Sequence, residues 1–202
     1  MKEEVVSFSA GDVTLEGLLQ KGSGDLGVVV THPHPLYGGD MYNAVVGTIV
    51  RSFQKKGYTT LRFNFRGVGK SEGNFDDGQG EQRDVLSALE YLKASGCDSI
   101  VLTGYSFGVW VNAQAAGKSD LYDSMVMVAP PVAFIDFQPV AAIPRLDLVI
   151  GGSRDDFAPP VLIEQMLSSW NPNAHFEVLD RADHFFVGYN DRLEAAILSN
   201  LM

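Results

Sequence analysis

The sequence predicts an α/β fold, with a mostly parallel central sheet, helices on both faces and an antiparallel hairpin at its start. Three observations carry this expectation: short apolar runs of strand length recur along the chain, segments of helical period lie between them, and two turn-separated strand patterns come first. Continuous apolar runs, rather than alternating ones, are what strands covered on both faces require.

The hairpin is expected from EVVSFS (residues 4–9) and VTLEGLL (13–19), parted by Ala10-Gly11-Asp12. The buried strands are expected at Gly27–Thr31 (GVVVT), Tyr58–Phe65 (YTTLRFNF), Ile100–Thr103 (IVLT), Met125–Ala129 (MVMVA) and Leu146–Ile150 (LDLVI), with His175–Leu179 (HFEVL) as a weaker sixth. Val46, Ile49, Val50 and Phe53 recur at helical spacing, and Gly57 stops that helix after Lys55-Lys56. Val85, Ala88, Leu89 and Leu92 repeat the pattern up to Gly96, as do Leu193, Ala196, Ile197 and Leu201. Pro159-Pro160 suits the start of a further helix.

A length of 202 residues suits one core, so residues 1–202 are read as a single domain, without repeats or a linker-like stretch. Hydrophobic residues make up 46% and charged residues 20%, enough apolar surface to offset the entropy of folding. The formal charge of -10 repels phosphate backbones and anionic lipid, which argues against nucleic-acid and membrane partners. Cys97 is the only cysteine, so no intramolecular disulfide is possible. The opening MKEEVVSFSAGD lacks the basic-then-apolar order of a signal peptide, and no apolar run reaches membrane-spanning length. A cytoplasmic protein is the expectation.

In a parallel sheet of this kind ligands bind beyond the carboxyl ends of the strands. There the chain places Gly104-Tyr105-Ser106-Phe107-Gly108, a G-x-S-x-G pentapeptide after the strand IVLT and before the helical stretch VWVNAQAA. This is the context of a nucleophile elbow, in which the serine sits on a sharp turn at a helix N-terminus. A serine hydroxyl needs a base, and that base needs an orienting group. Of four histidines, His184 follows the last strand in a loop that can return over the active edge of the sheet, which makes it the expected base. The carboxylate falls between serine and histidine in this elbow type, where Gly151–Pro159 offers Asp155 or Asp156. Residue chemistry alone does not separate them; the other is expected to be solvated or to cap the following helix.

The oxyanion needs two preorganised N–H donors, one from Phe107, the residue after the nucleophile. The second is expected from His32-Pro33-His34-Pro35-Leu36-Tyr37-Gly38-Gly39, where the prolines have no N–H; His34 leads and Leu36 is second. His32-x-His34 offers no third ligand for a metal, so neither metal nor cofactor is expected. Arg66–Gly73 lacks phosphate-loop spacing and reads as a turn-rich loop bracing the site. Asp84 reads as a cap or dipole partner at a helix start.

Several long motifs taken together, HPHPLYGG, LRFNFRGVGKSEG, GYSFG, VAPP, GGSRDDFAPP and RADHFF, run in order along nearly the whole chain. They make it resemble the compact, lidless α/β-hydrolases of bacteria described as predicted hydrolases or serine esterase-like proteins. The resemblance implies the α/β-hydrolase fold, Ser106 as nucleophile and His184 as base. It also implies Asp155 as the acid, through a pattern like G-x-x-D-x-x-x-P that Gly152, Asp155 and Pro159 match, and a donor at His34, although HPHP departs from the H-G-x of larger relatives. Pro130–Pro144 is too short for the helical lid that larger relatives carry, so an open site is expected, with Phe134, Ile135 and Phe137 as candidates for an apolar wall. The function implied is a serine hydrolase, a carboxylesterase acting on a small acyl substrate. Thioesterase, peptidase or amidase activity would use the same three residues, and a non-catalytic binding protein on the same fold would not need all three.

Overall fold

The described residues, 2–140 and 142–201 of a computed structural model, build one eight-stranded sheet. Strand β1 (Glu4–Ala10) pairs antiparallel with β2 (Val13–Gln20), the hairpin expected from the sequence, and β2 pairs antiparallel with β4 (Thr59–Phe63). All remaining pairings are parallel: β4 with β3 (Leu26–Thr31), then β5 (Ser99–Tyr105), β6 (Ser124–Val128), β7 (Leu146–Gly152) and β8 (His175–Leu179). The order across the sheet is β1-β2-β4-β3-β5-β6-β7-β8, so β3 and β5 lie side by side at its centre. Val28, Val29, Val30, Ile100 and Leu102 are fully buried there, because both faces are covered.

The covering helices are α1 (Ala44–Lys55), α2 (Gln79–Ala94), α3 (Phe107–Ala116), α4 (Pro160–Trp170) and α5 (Asn190–Asn200). Helix α1 packs with α5 and α2 with α3. The apolar stripe of α1 turns Val46, Ile49 and Phe53 into the core, and Asn43 caps the helix by accepting from the Val45 N–H at 2.9 Å. Helix α4 begins at Pro160, as the proline pair predicts. None of the described helices is long and apolar enough to cross a membrane.

The start of α2 differs from expectation. The turn that leads into it is organised by buried Glu81, whose carboxylate accepts from Asp76 N–H at 2.9 Å and Gly78 N–H at 2.8 Å. Asp84 is therefore not a cap. It lies beyond the first turn, fully buried, and receives Arg66 through the backbone N–H at 2.9 Å and the guanidinium Nη2 at 2.7 Å. Burial pushes the Asp84 carboxyl up, and the Arg66 hydrogen bonds pull it back. This pair ties the Arg66–Gly73 loop to α2.

Removing one member of a buried pair leaves the other charge without compensation. Asp84→Ala should therefore lose about 3 kcal/mol of folding stability or more. Urea denaturation measures this, and a loss below about 1 kcal/mol would mean that the pair carries little.

Candidate active site

Strand β5 runs without interruption into α3 through a single residue, Ser106. Its φ of 55° and ψ of -122° lie where side chains are disfavoured, and its N–H is pinned to the Val128 carbonyl of β6 at 3.0 Å. Gly104 and Gly108 make the turn possible. A Cβ on either would come within 2.0 Å and 2.5 Å, respectively, of Thr31 Oγ1 on the neighbouring β3.

His184 stands in the turn after β8, and Asp155 in the loop between β7 and α4. The two loops brace each other: Ser153 N–H donates to the Leu179 carbonyl at 3.0 Å and Arg154 N–H to the Ala182 carbonyl at 2.9 Å. Ser106 Oγ lies 2.9 Å from His184 Nε2, and His184 Nδ1 lies 2.8 Å from Asp155 Oδ2. An ionised carboxylate only accepts, so the proton sits on Nδ1, and Nε2 faces the serine hydroxyl as an acceptor. The second carboxylate oxygen of Asp155 accepts from Phe157 N–H at 2.9 Å and Ala158 N–H at 2.7 Å. All three side chains are buried.

The structure thus brings together Ser106, His184 and Asp155, and leaves Asp156 exposed. Asp156 does not cap α4 either, since Pro159 occupies that position. A contribution the sequence did not signal comes from Tyr105, whose hydroxyl donates to the His184 carbonyl at 2.9 Å. Burial pushes that phenol well up, so it stays a donor. The residue occupies a variable position of the G-x-S-x-G pattern, and nothing in its type announces the contact.

The loop after β3 lies across the site. His32 is fully buried, with Nδ1–H donating to the Pro33 carbonyl at 2.7 Å and Nε2 accepting from Phe65 N–H at 3.0 Å. Both ring nitrogens are taken by backbone, so His32 serves to hold the loop and has none free for a metal. His34 Nδ1 accepts from Leu36 N–H at 3.2 Å, which commits the Leu36 donor to its own turn. The backbone N–H groups of His34 and Phe107 meet no acceptor among the described residues. The His34 and Phe107 rings are in contact, 4.6 Å between centroids, and burial lowers the His34 pKa.

These residues border an open cleft of about 470 Å³. Phe134 and Ile135 stand in its wall as expected, joined by Tyr37, Phe157 and Phe185. Phe137 does not. It is buried against Trp170, ring centroids 5.2 Å apart, as part of the core. Turns, bends and irregular backbone occupy the described residues between β6 and β7, with no helix among them to form a lid.

No family model matches the chain. A solved α/β serine hydrolase homologue from Coxiella burnetii superimposes with a TM-score of 0.92 at 32% identity, covering 100% of this chain and 99% of that one. The chain belongs to the α/β serine hydrolases. A Xanthomonas campestris member of these hydrolases, described as without a lid, matches with a TM-score of 0.90 at 29% identity, covering 99% of this chain and 94% of that one. An uncharacterized protein of Rickettsia prowazekii is 31% identical over 95% of this chain and 86% of its own length.

Burial drives the His32 pKa down to about 4, below the 6.5 of an exposed imidazole. Between those values the unfolded chain binds the proton and the folded hydrolase does not, so stability is full above about pH 6.5 and falls as the pH drops towards 4. The loss should approach about 3 kcal/mol. Urea unfolding of wild type and His32→Gln across this range checks it: their stability difference should change with pH, and a constant difference would refute the assignment.

Proposed function

We propose that this hydrolase cleaves a carboxylic ester through an acyl-enzyme on Ser106, with His184 as general base and Asp155 orienting it. The observation that carries this reading is the unbroken hydrogen-bond chain from Ser106 through His184 to Asp155, with links of 2.9 Å and 2.8 Å. Attack by Oγ on the acyl carbon passes the hydroxyl proton to Nε2. The imidazolium that forms is stabilised by Asp155, whose charge is held by two backbone donors and is not spent on the solvent. Negative charge developing on the carbonyl oxygen is received by the backbone N–H groups of Phe107 and His34, the pair without internal acceptors. Leu36 is the weaker choice for that role because its N–H already has a partner. The adduct then collapses: the bond to the alcohol oxygen breaks, that oxygen takes the proton from Nε2 and the alcohol departs, leaving the acyl group on Oγ. Water then repeats the sequence to release the acid.

An ester with a short acyl group is favoured, because an open cleft stops burying CH₂ groups after the first few, and each is worth about 0.8 kcal/mol. A small acyl compound, not a nucleic acid or a membrane, is the substrate proposed. The free thiol of Cys97 suits a reducing compartment, and we place the hydrolase in the cytoplasm.

A fluorophosphonate should label Ser106, read by intact mass and peptide mapping. Labelling elsewhere, or none of the folded protein, would overturn the reading. A panel of ester, thioester and peptide substrates, with Ser106→Ala as blank, tests the reaction class.

The two aspartates give a separate check. Ser106→Ala or His184→Ala should lower kcat by about 10⁴-fold or more, and Asp155→Asn should be comparably severe. Asp156→Asn should change kcat/KM by less than about threefold, since the carboxylate is solvated. Steady-state kinetics that reversed the order of the two aspartates would misplace the acid.

A further inference from the structure

We propose that the leaving-group side of the cleft is an aromatic subsite, formed by Phe157 and Phe185 and selective for esters of neutral arylalkyl alcohols. The proposal rests on the esterase reading above and adds the class of alcohol.

The position of the leaving group follows from proton transfer. When the tetrahedral adduct collapses, the bond from the acyl carbon to the alcohol oxygen breaks, and its electron pair stays on that oxygen. The proton that Nε2 took from Ser106 moves to the same oxygen, the neutral alcohol departs, and the acyl group remains on Oγ. The alcohol must therefore sit beside the His184 imidazole.

Two phenyl rings flank that imidazole. Phe157 lies 4.8 Å from it at an interplanar angle of 37°, and Phe185 lies 5.6 Å away at 86°. Phe157 and Phe185 meet each other edge to face at 6.2 Å, and Phe134 closes the far side, 5.5 Å from Phe157. Phe185 is 59% exposed and Phe134 52% exposed, an unusual amount of open aromatic surface beside a buried serine and histidine. A further ring entering this corner meets faces and edges at separations that aromatic pairs favour.

None of the described residues lining the cleft is Asp, Glu, Lys or Arg. An anionic alcohol moiety would lose water there without gaining a cationic partner, and would meet the negative faces of the rings. Neutral aromatic groups lose little and cover the exposed rings.

Benzyl acetate and cyclohexylmethyl acetate present similar apolar area on primary alcohols, and differ in the ring. For the wild-type hydrolase kcat/KM should favour benzyl by about fivefold. In Phe185→Leu and in Phe157→Leu that ratio should fall below about twofold. The Phe157 change keeps the backbone N–H that supports Asp155. The ratio of benzyl acetate to benzyl butyrate should stay as in wild type, because the acyl side is untouched.

A wild-type ratio near one, or a preference that survives both substitutions, would overturn the subsite. Fluorophosphonate labelling, whose fluoride leaving group needs no aromatic wall, separates the two levels. Labelled Ser106 without a benzyl preference removes the subsite alone, and absence of labelling removes the esterase reading with it.

Discussion

The close passage of β5 and α3 beneath Thr31 is the constraint on which the rest of this structure depends. Thr31 Oγ1 occupies the space that a Cβ at Gly104 or Gly108 would need, so strand and helix can approach only because both positions are bare. Between them Ser106 is held at a positive φ, a region that residues other than glycine seldom adopt. The hydrogen bond from its N–H to the Val128 carbonyl holds this conformation against its intrinsic cost. Placing β3 and β5 side by side at the sheet centre is thus a condition for presenting the serine at all.

Around that turn most buried polar groups have partners, and Thr103 Oγ1 and Asn112 Oδ1 are the exceptions among the described residues. His32 has a backbone partner on each ring nitrogen, the Asp155 carboxylate takes two N–H groups besides His184, and Asp84 holds Arg66. Such an arrangement keeps dipoles oriented with little freedom to relax, which is what electrostatic stabilisation of a developing oxyanion requires. The histidine and acid loops gain their mutual position from backbone bonds between residues 153–154 and 179–182, so the distance from His184 to Asp155 depends on how β7 and β8 pair.

The absence of a helix among the described residues between β6 and β7 leaves the cleft open, and its aromatic walls meet solvent. An α/β serine hydrolase of this shape has little means of excluding water by closure. The Ser106, His184 and Asp155 side chains are themselves buried, in surroundings of low dielectric.

Much of this was legible in the chain because it is written in local pattern. Apolar runs and helical spacing are short-range signals, and strand ends fell within a few residues of expectation; β5 continued to Tyr105 rather than ending at Thr103. The G-x-S-x-G pentapeptide places its serine for the same reason, since the turn is local. What only the tertiary structure decided are contacts between residues far apart. Asp84 reads as a cap from its neighbourhood, yet becomes the buried partner of Arg66 because α2 starts earlier, at a Glu81-organised turn. Phe137 and Phe134 are alike in sequence, but one packs on Trp170 and the other faces the cleft. Residue chemistry leaves Asp155 and Asp156 open and the family resemblance favours Asp155; in the structure the return of the β8 loop brings the Asp155 carboxylate to His184. Periodicity and turn chemistry specify where the chain bends. Which side chains then share a buried space depends on the packing of the whole sheet, and no local segment contains that information.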